Sequence, residues 1–388
     1  MLITASKIHD GRSWLPDGTV LDVAEDGAIN AIHTTPVKGE VTHYEGFLCP
    51  GFVNVHCHLE LSHMKGAIDE HTGLIPFLQQ VMFKRNGFAE EQKQEARWQA
   101  YNSMLENGIV AVGDIANTTD TLDLRADGKL HFQTFIESIG FTETPQKQFA
   151  YATETFDVFN AQQAGNKYLS QSIVPHAPYS VSHVLFDLID KHNPDSLISI
   201  HNQESAAEDE YYLLKEGGVR TLLSSIEIDD TFFLPSGKSS LQTYLQWLSP
   251  SHPFVFVHNT YTKQADIEVA QALLKEVYWC LCPNANLYIE GRLPDVPMFM
   301  QTGANICIGT DSLSSNHQLC VLSELQSINE AYPAIGWERL LKWGTYNGAL
   351  ALRMNHRVGA FQKGTAPGIL QLTGLDNKGS KPSVKRLF

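Results

Sequence analysis

Short apolar runs alternate with amphipathic segments of helical length over most of the chain. The strand-length runs are FVNVHCH (52–58), IVAVGDI (109–115), LHFQTFIE (130–137), LSQSIVPH (169–176), LISIH (197–201), FVFVH (254–258), VYWCLCP (277–283) and NICIGTD (305–311). Several are apolar at nearly every position, as expected of parallel strands covered on both faces. Between them, AEEQKQEARWQAYNSMLENG (89–108) sets Trp98, Tyr101 and Leu105 on one helix face and ends on Gly108 as a C-terminal cap. SHVLFDLIDKH (182–192), TKQADIEVAQALLKE (262–276) and a pair of segments within 318–352 read as further helices. Eight alternations predict an α/β fold, a (β/α)8 TIM barrel over residues 49–354. An open doubly wound sheet fits the same alternation and is the competing architecture. The chain carries no repeat of solenoid length.

The two ends read differently. Residues 1–48 are short strands broken at Gly, Asp and Pro, and residues 355–388 return to the same strand-and-turn pattern in VGAFQKGTAPGILQLTGLDNKG. The two segments are expected to combine in one small β-sandwich-like domain, which the chain leaves to build the barrel and then rejoins. Residues 203–250 exceed an ordinary connection between strand and helix, and insertions of that size in barrels carry substrate-facing segments.

Composition narrows the function. With 28 basic and 43 acidic residues among 388, the formal charge is −15, and no Lys/Arg-rich stretch exists to bind phosphates, so a nucleic-acid partner is excluded. No basic segment followed by an apolar one opens the chain, and no apolar stretch is long enough to span a bilayer. The expectation is a cytoplasmic protein without a membrane partner, acting on a small molecule; homo-oligomerisation is left open. Cys49, Cys57, Cys280, Cys282, Cys307 and Cys320 mostly sit inside apolar runs, form no C-x-x-C pair, and read as reduced, buried residues.

The chemistry lies at the strand ends. Four predicted strands finish on a metal-ligand type: His56-Cys57-His58, His201, His258 and Asp311. In a barrel these ends converge on one mouth. His56 and His58 are two apart and point to the same side of a strand, which sends Cys57 the other way. Imidazole and carboxylate together suit zinc or another late divalent ion. Glu204, three residues after His201, is placed to move protons at such an ion, or else serves as an acid at a helix N-terminus. Asp311 reads as a ligand that also takes a proton from water, or as a helix cap. His258 reads as a further ligand or as a hydrogen-bond partner of the attacking water and of Asp311, and the second is preferred because a catalytic ion needs an open position. The fourth strand ends in His176, facing substrate or held in its Pro-rich turn. No lysine stands there to bridge two ions, Lys167 lying at the other end, so a single ion is expected.

The pieces PGFVNVHCHLE, VPHAPYS, HNQES, VHNTYT, CPNAN and IGTDS, spread in order over residues 50–312, resemble the amidohydrolase superfamily in its mononuclear aminohydrolase branch. They are most similar to its aminodeoxyfutalosine and adenosine-type deaminases. The resemblance implies one divalent ion (zinc, with iron and manganese as alternatives) on His56, His58, His201 and Asp311. It implies Glu204 as proton shuttle and His258 as the residue that orients the water. The implied reaction is hydrolytic deamination of an amino-substituted N-heterocycle with release of ammonia, and Glu60, His176, Asn284 and Asn286 would contact the substrate. One departure stands out: the segment GLIPFLQQVMFKR, where nucleoside deaminases of this kind carry an acid for ribose hydroxyls, has none. Phe77, Met82 and Phe83 stand there instead, as pocket wall or as core. Two other functions remain in competition: hydrolysis of a non-aromatic cyclic amide or amidine, as in imidazolonepropionase-like proteins, and a catalytically silent barrel.

Overall fold

The computed structural model describes residues 1–163, 166, 169–375 and 381–388. Lys167 and the DNKG end of the tail segment therefore lie outside the described residues. All eight apolar runs form strands: β5 (Phe52–Cys57), β6 (Ile109–Ala116), β7 (His131–Ser138), β8 (Leu169–Pro175), β9 (Ile198–Asn202), β10 (Pro253–His258), β11 (Glu276–Leu281) and β12 (Ile306–Ile308). They form two four-stranded sheets, ordered β5-β6-β7-β8 and β12-β11-β10-β9, with every pairing parallel. Backbone hydrogen bonds cross from one sheet to the other at both edges. His201 N donates to His176 O, and the amides of Thr310 and Asp311 donate to His56 O, each at 3.0 Å.

Alternate strand residues enter two different cores. Phe254 and Phe256 of β10 pack with Trp279, Ile198 and Ile200 under the helices. Val255 and Val257, one residue out of step, pack with Val53, Val55, Cys280 and Cys307 on the opposite side. This explains the unbroken apolar runs: each strand buries both faces. The longer helices are α1 (Leu74–Lys84), α2 (Glu90–Glu106), α3 (Gln146–Gln163), α4 (His183–His192), α5 (Ala206–Leu214), α6 (Gly217–Ser225), α7 (Gln264–Leu273), α8 (Pro283–Glu290) and α9 (Val321–Ala331). None among the described residues is long and apolar enough to cross a membrane. All six cysteines are free and buried.

The chain ends meet in one six-stranded sheet ordered β14-β13-β4-β1-β2-β3, built from β1 (Leu2–Ile8), β2 (Val20–Val23), β3 (Ile29–His33), β4 (Val41–Pro50), β13 (Ile369–Thr373) and β14 (Ser383–Arg386). The described residues form a single layer here rather than the expected sandwich. The reason is that β4 bonds β1 along one edge and β13 along the other, which draws both termini into the same ladder.

Gly108 ties this sheet to the strand–helix layer. It follows α2 with φ +77°, and a Cβ there would lie 2.6 Å from Leu370 of β13. Gly108→Ala is therefore expected to destabilise the protein by about 1–3 kcal/mol, the usual range for overpacking. A denaturant midpoint equal to wild type would show that this approach is not tight.

Candidate active site

His56 and His58 reach the site through an irregularity. Val53 and Val55 face the inner core, and strict alternation would put Cys57 there too. The β5–β6 register shifts between Asn54 and Cys57, and such a bulge re-aims the residues after it. Cys57 consequently packs in the helix-side core, and the two histidines turn toward one another, with His58 Nε2 3.1 Å from His56 Nε2. Asn54 braces this turn against the last strand: its Nδ2 donates to Thr310 Oγ1 at 2.8 Å, and its Oδ1 accepts from Thr310 N at 3.0 Å.

His201 stands next to the end of β9, with Nδ1 donating to His176 O at 2.8 Å, which leaves Nε2 3.3 Å from His58 Nε2. His258 ends β10 with φ +69°. Alternation would send it to the helix side with Phe256, and the left-handed backbone breaks that phase, an outlier of the kind found at functional sites. Its Nδ1 donates to Asn286 Oδ1 at 3.0 Å, and its Nε2 lies 3.6 Å from Glu204 Oε1. The carboxylate within ion-pair distance of His258 is thus Glu204 rather than Asp311. Burial pushes the Glu204 acid up to about 7, inside the range where one carboxyl can both take and give a proton near neutrality.

Asp311, also left-handed at φ +57°, places Oδ1 3.5 Å from His56 Nε2 and 3.3 Å from His58 Nε2. Ser315 Oγ donates to its other oxygen at 2.6 Å. Burial opposes ionisation of Asp311, but the hydrogen bond with His56 and the adjoining imidazoles outweigh it and hold the acid well below the usual carboxylate range. Burial also lowers the pKa of His56, His58 and His201, which favours the neutral form that a divalent ion binds. Tetrahedral ligands at about 2.0–2.1 Å from zinc stand roughly 3.3 Å apart, which matches the spacings of 3.1–3.5 Å given above; His56, His58 and Asp311 form one group that could hold an ion, and His56, His201 and His258 an adjoining one. The residues fit a divalent ion.

The remaining candidates separate. Glu60 and His176 line the cavity above the cluster. Glu60 already accepts from the backbone amides of Asn117 and Thr118 and from Thr118 Oγ1, with Arg85 Nη2 at 3.3 Å. His176 Nδ1 bonds Ser180 Oγ at 2.7 Å. Asn284 and Asn286 do not line the cavity, which corrects their reading as substrate contacts. The segment after β11 is helix α8, opened by Pro283, rather than a loop. Asn284 points back to α9, bonding Ser323, Glu324 and Ser327. Asn286 is spent on His258 and on Thr260 Oγ1.

Sequence reasoning passed over Glu137. Its Oε1 lies 3.4 Å from His201 Nδ1 and its Oε2 accepts from Asn117 Nδ2 at 2.7 Å. It ends the third apolar run, so the strand-end rule that singled out His201 would have reached it.

A family model described as "Amidohydrolase family" matches residues 47–379. An adenosine deaminase from Helicobacter pylori is 26% identical over 314 residues, covering 80% of this chain and 75% of that protein. The crystal structure of Helicobacter pylori aminofutalosine deaminase in complex with methylthio-coformycin superposes with a TM-score of 0.81 at 22% identity, covering 95% of this chain and 91% of that one. An adenosine deaminase from Xanthomonas campestris with bound zinc gives 0.75 at 21% identity, covering 95% and 83%. The chain belongs to the amidohydrolase family. It is a hydrolase acting on C–N bonds.

Proposed function

We propose that the enzyme deaminates an amino-substituted N-heterocycle of purine or nucleoside type, with one divalent ion held by His56, His58, His201 and Asp311. The observation that carries this reading is the convergence of three imidazoles and one carboxylate beside the Glu204–His258 pair, with His58, His201 and Asp311 lining one cavity. The similarity to adenosine and aminofutalosine deaminases supports a nucleoside-like substrate, and the zinc-bound relative favours zinc over iron or manganese. We further infer that the two parallel sheets close into a (β/α)8 barrel spanning 49–354, with 1–48 and 355–388 as its β-rich companion. The hydrogen bonds across both sheet edges support that closure.

When bound, the ion would acidify water enough to make it a nucleophile at neutral pH. Glu204 takes the proton that the water loses and delivers it to the ring nitrogen beside the attacked carbon. His258, held through Nδ1 by Asn286, orients the incoming water. Asp311 takes the second proton of that water as the new carbon–oxygen bond becomes a carbonyl and passes it to the departing amine, so the C–N bond breaks with one water consumed and one ammonia released. Asn286→Ala is expected to keep the ion and lower kcat about tenfold with little change in KM, whereas Asn284→Ala stays near wild type. Equal effects of the two would remove the positioning role of Asn286.

The test of the function is an ammonia-release screen of metal-loaded protein over adenine-, guanine-, cytosine-, pterin- and adenosine-type compounds, with metal analysis of the same sample. Ammonia in step with product is expected from a purine-type compound. Ring opening without ammonia would point to the cyclic-amide reaction instead, and protein holding no ion would favour the silent barrel.

A further inference from the structure

We propose that the substrate has two parts, the reacting heterocycle at the metal end and an apolar substituent housed between α1 and α6. This rests on the deaminase reading and adds the class of group carried beyond the ring. The cavity has two unlike ends. Its floor holds His58, His201, His258, Glu204 and Asp311, and its outer wall is apolar. Leu74, Phe77, Leu78 and Val81 of α1 follow one another at helical spacing along that wall, and Leu222 and Leu223 of α6 line the same cavity. Neither Leu74–Lys84 nor Gly217–Ser225 contains an acidic residue.

The wall is a built surface. Gln79 Nε2 donates to Ser225 Oγ at 3.2 Å, and Gly218 lets the two helices approach so closely that a Cβ there would lie 2.9 Å from Ile75. At the mouth, Met82, Ile139 and Ile226 line the same cavity while remaining 39%, 44% and 36% exposed. Large apolar side chains gathered around one opening mark a surface that a ligand covers.

Two polar groups beside this wall, Glu60 and Ser180, are already engaged by the protein. Arg85 lies on Glu60, and both Glu60 oxygens accept from Asn117 or Thr118. Ser180 Oγ is held by His176 and by Ala177 O. A polyhydroxylated group packed against these apolar side chains would give up its bonds to water without replacing them, whereas an alkyl or aryl group would gain from leaving water.

The test uses metal-loaded enzyme and three adenines that differ at N9: adenosine, 9-butyladenine and 9-benzyladenine. Ammonia release gives kcat/KM, and calorimetric titration into metal-loaded Glu204→Gln gives binding without turnover. The benzyl compound should exceed adenosine by about tenfold or more in both, the discrimination expected of an apolar pocket. Ile226→Gln and Met82→Gln, at half-exposed positions that tolerate a polar side chain, should each cut that ratio at least about threefold. Adenosine matching the benzyl compound, or a ratio unmoved by both substitutions, would overturn the apolar wall. If no compound released ammonia, the deaminase reading would fail, and the titration would still decide the wall: equal or undetectable binding of the apolar compounds overturns it.

Discussion

Glu204→Gln is expected to retain its ion and lose nearly all turnover. Glutamine keeps the shape of the side chain but can neither accept a proton from water nor return one to a ring nitrogen. General acid–base work contributes about a hundred- to ten-thousandfold in rate, so kcat should fall by at least that much. Glu204 is buried, pushed up to about 7 by that burial, and 3.6 Å from His258. No donor ring of the metal cluster leans on it, which is why its replacement should spare the ion. Substrate affinity should change little, because the lost interaction is made during the reaction rather than before it. Metal content measured beside kcat separates the outcomes. A variant above about a tenth of wild-type rate would show that another group carries the proton, and Glu137, buried on the other side of His201, would be the next to test.

Much of this arrangement could be read from the chain because burial on both faces leaves a strong signal. All eight strands of the two parallel sheets were visible as apolar runs, since β6, for example, is buried at each of its positions. The helices were less legible. α3, QKQFAYATETFDVFNAQQ, buries only Ala152, Thr155 and Phe159, too few to draw an apolar stripe. At the site, residue types at strand ends located the histidines and Asp311, but their aim depends on features with no sequence signature. The bulge before Cys57 and the left-handed backbone at His258 and Asp311 each break the alternation from which side-chain direction is read. Asn284 and Asn286 were misjudged for a related reason. Polar residues after a strand suggest a loop, whereas Pro283 starts a helix here, turning one asparagine toward α9 and the other beneath His258. The apolar cavity wall was foreshadowed by the acid-free segment at 73–85, and Phe77 and Met82 do line it. Phe83, 76% exposed, does not.

Removing the ion should abolish activity and lower the melting temperature together. Without a cation, the cluster packs His56, His58 and His201 nitrogens and Asp311 within 3.1–3.5 Å of one another along its measured edges. Packing three imidazoles so closely leaves His56 Nδ1 buried without a hydrogen-bond partner. An ion that binds only the folded chain stabilises it by mass action, about 4 kcal/mol when its free concentration is a thousand times its dissociation constant. Chelated wild-type protein should therefore melt several degrees lower and recover on adding zinc. His201→Ala should lose ion and turnover together and show no zinc-dependent rise, because it removes one donor and the anchor through His176 O that aims it. Asp311→Asn should do the same by removing the cluster's only charge. Glu204→Gln serves as the contrast: it should keep the full zinc-dependent rise while remaining inactive. If His201→Ala still melted higher with zinc, the ion would be held elsewhere, and the four converging side chains would be a buried polar cluster rather than a metal centre.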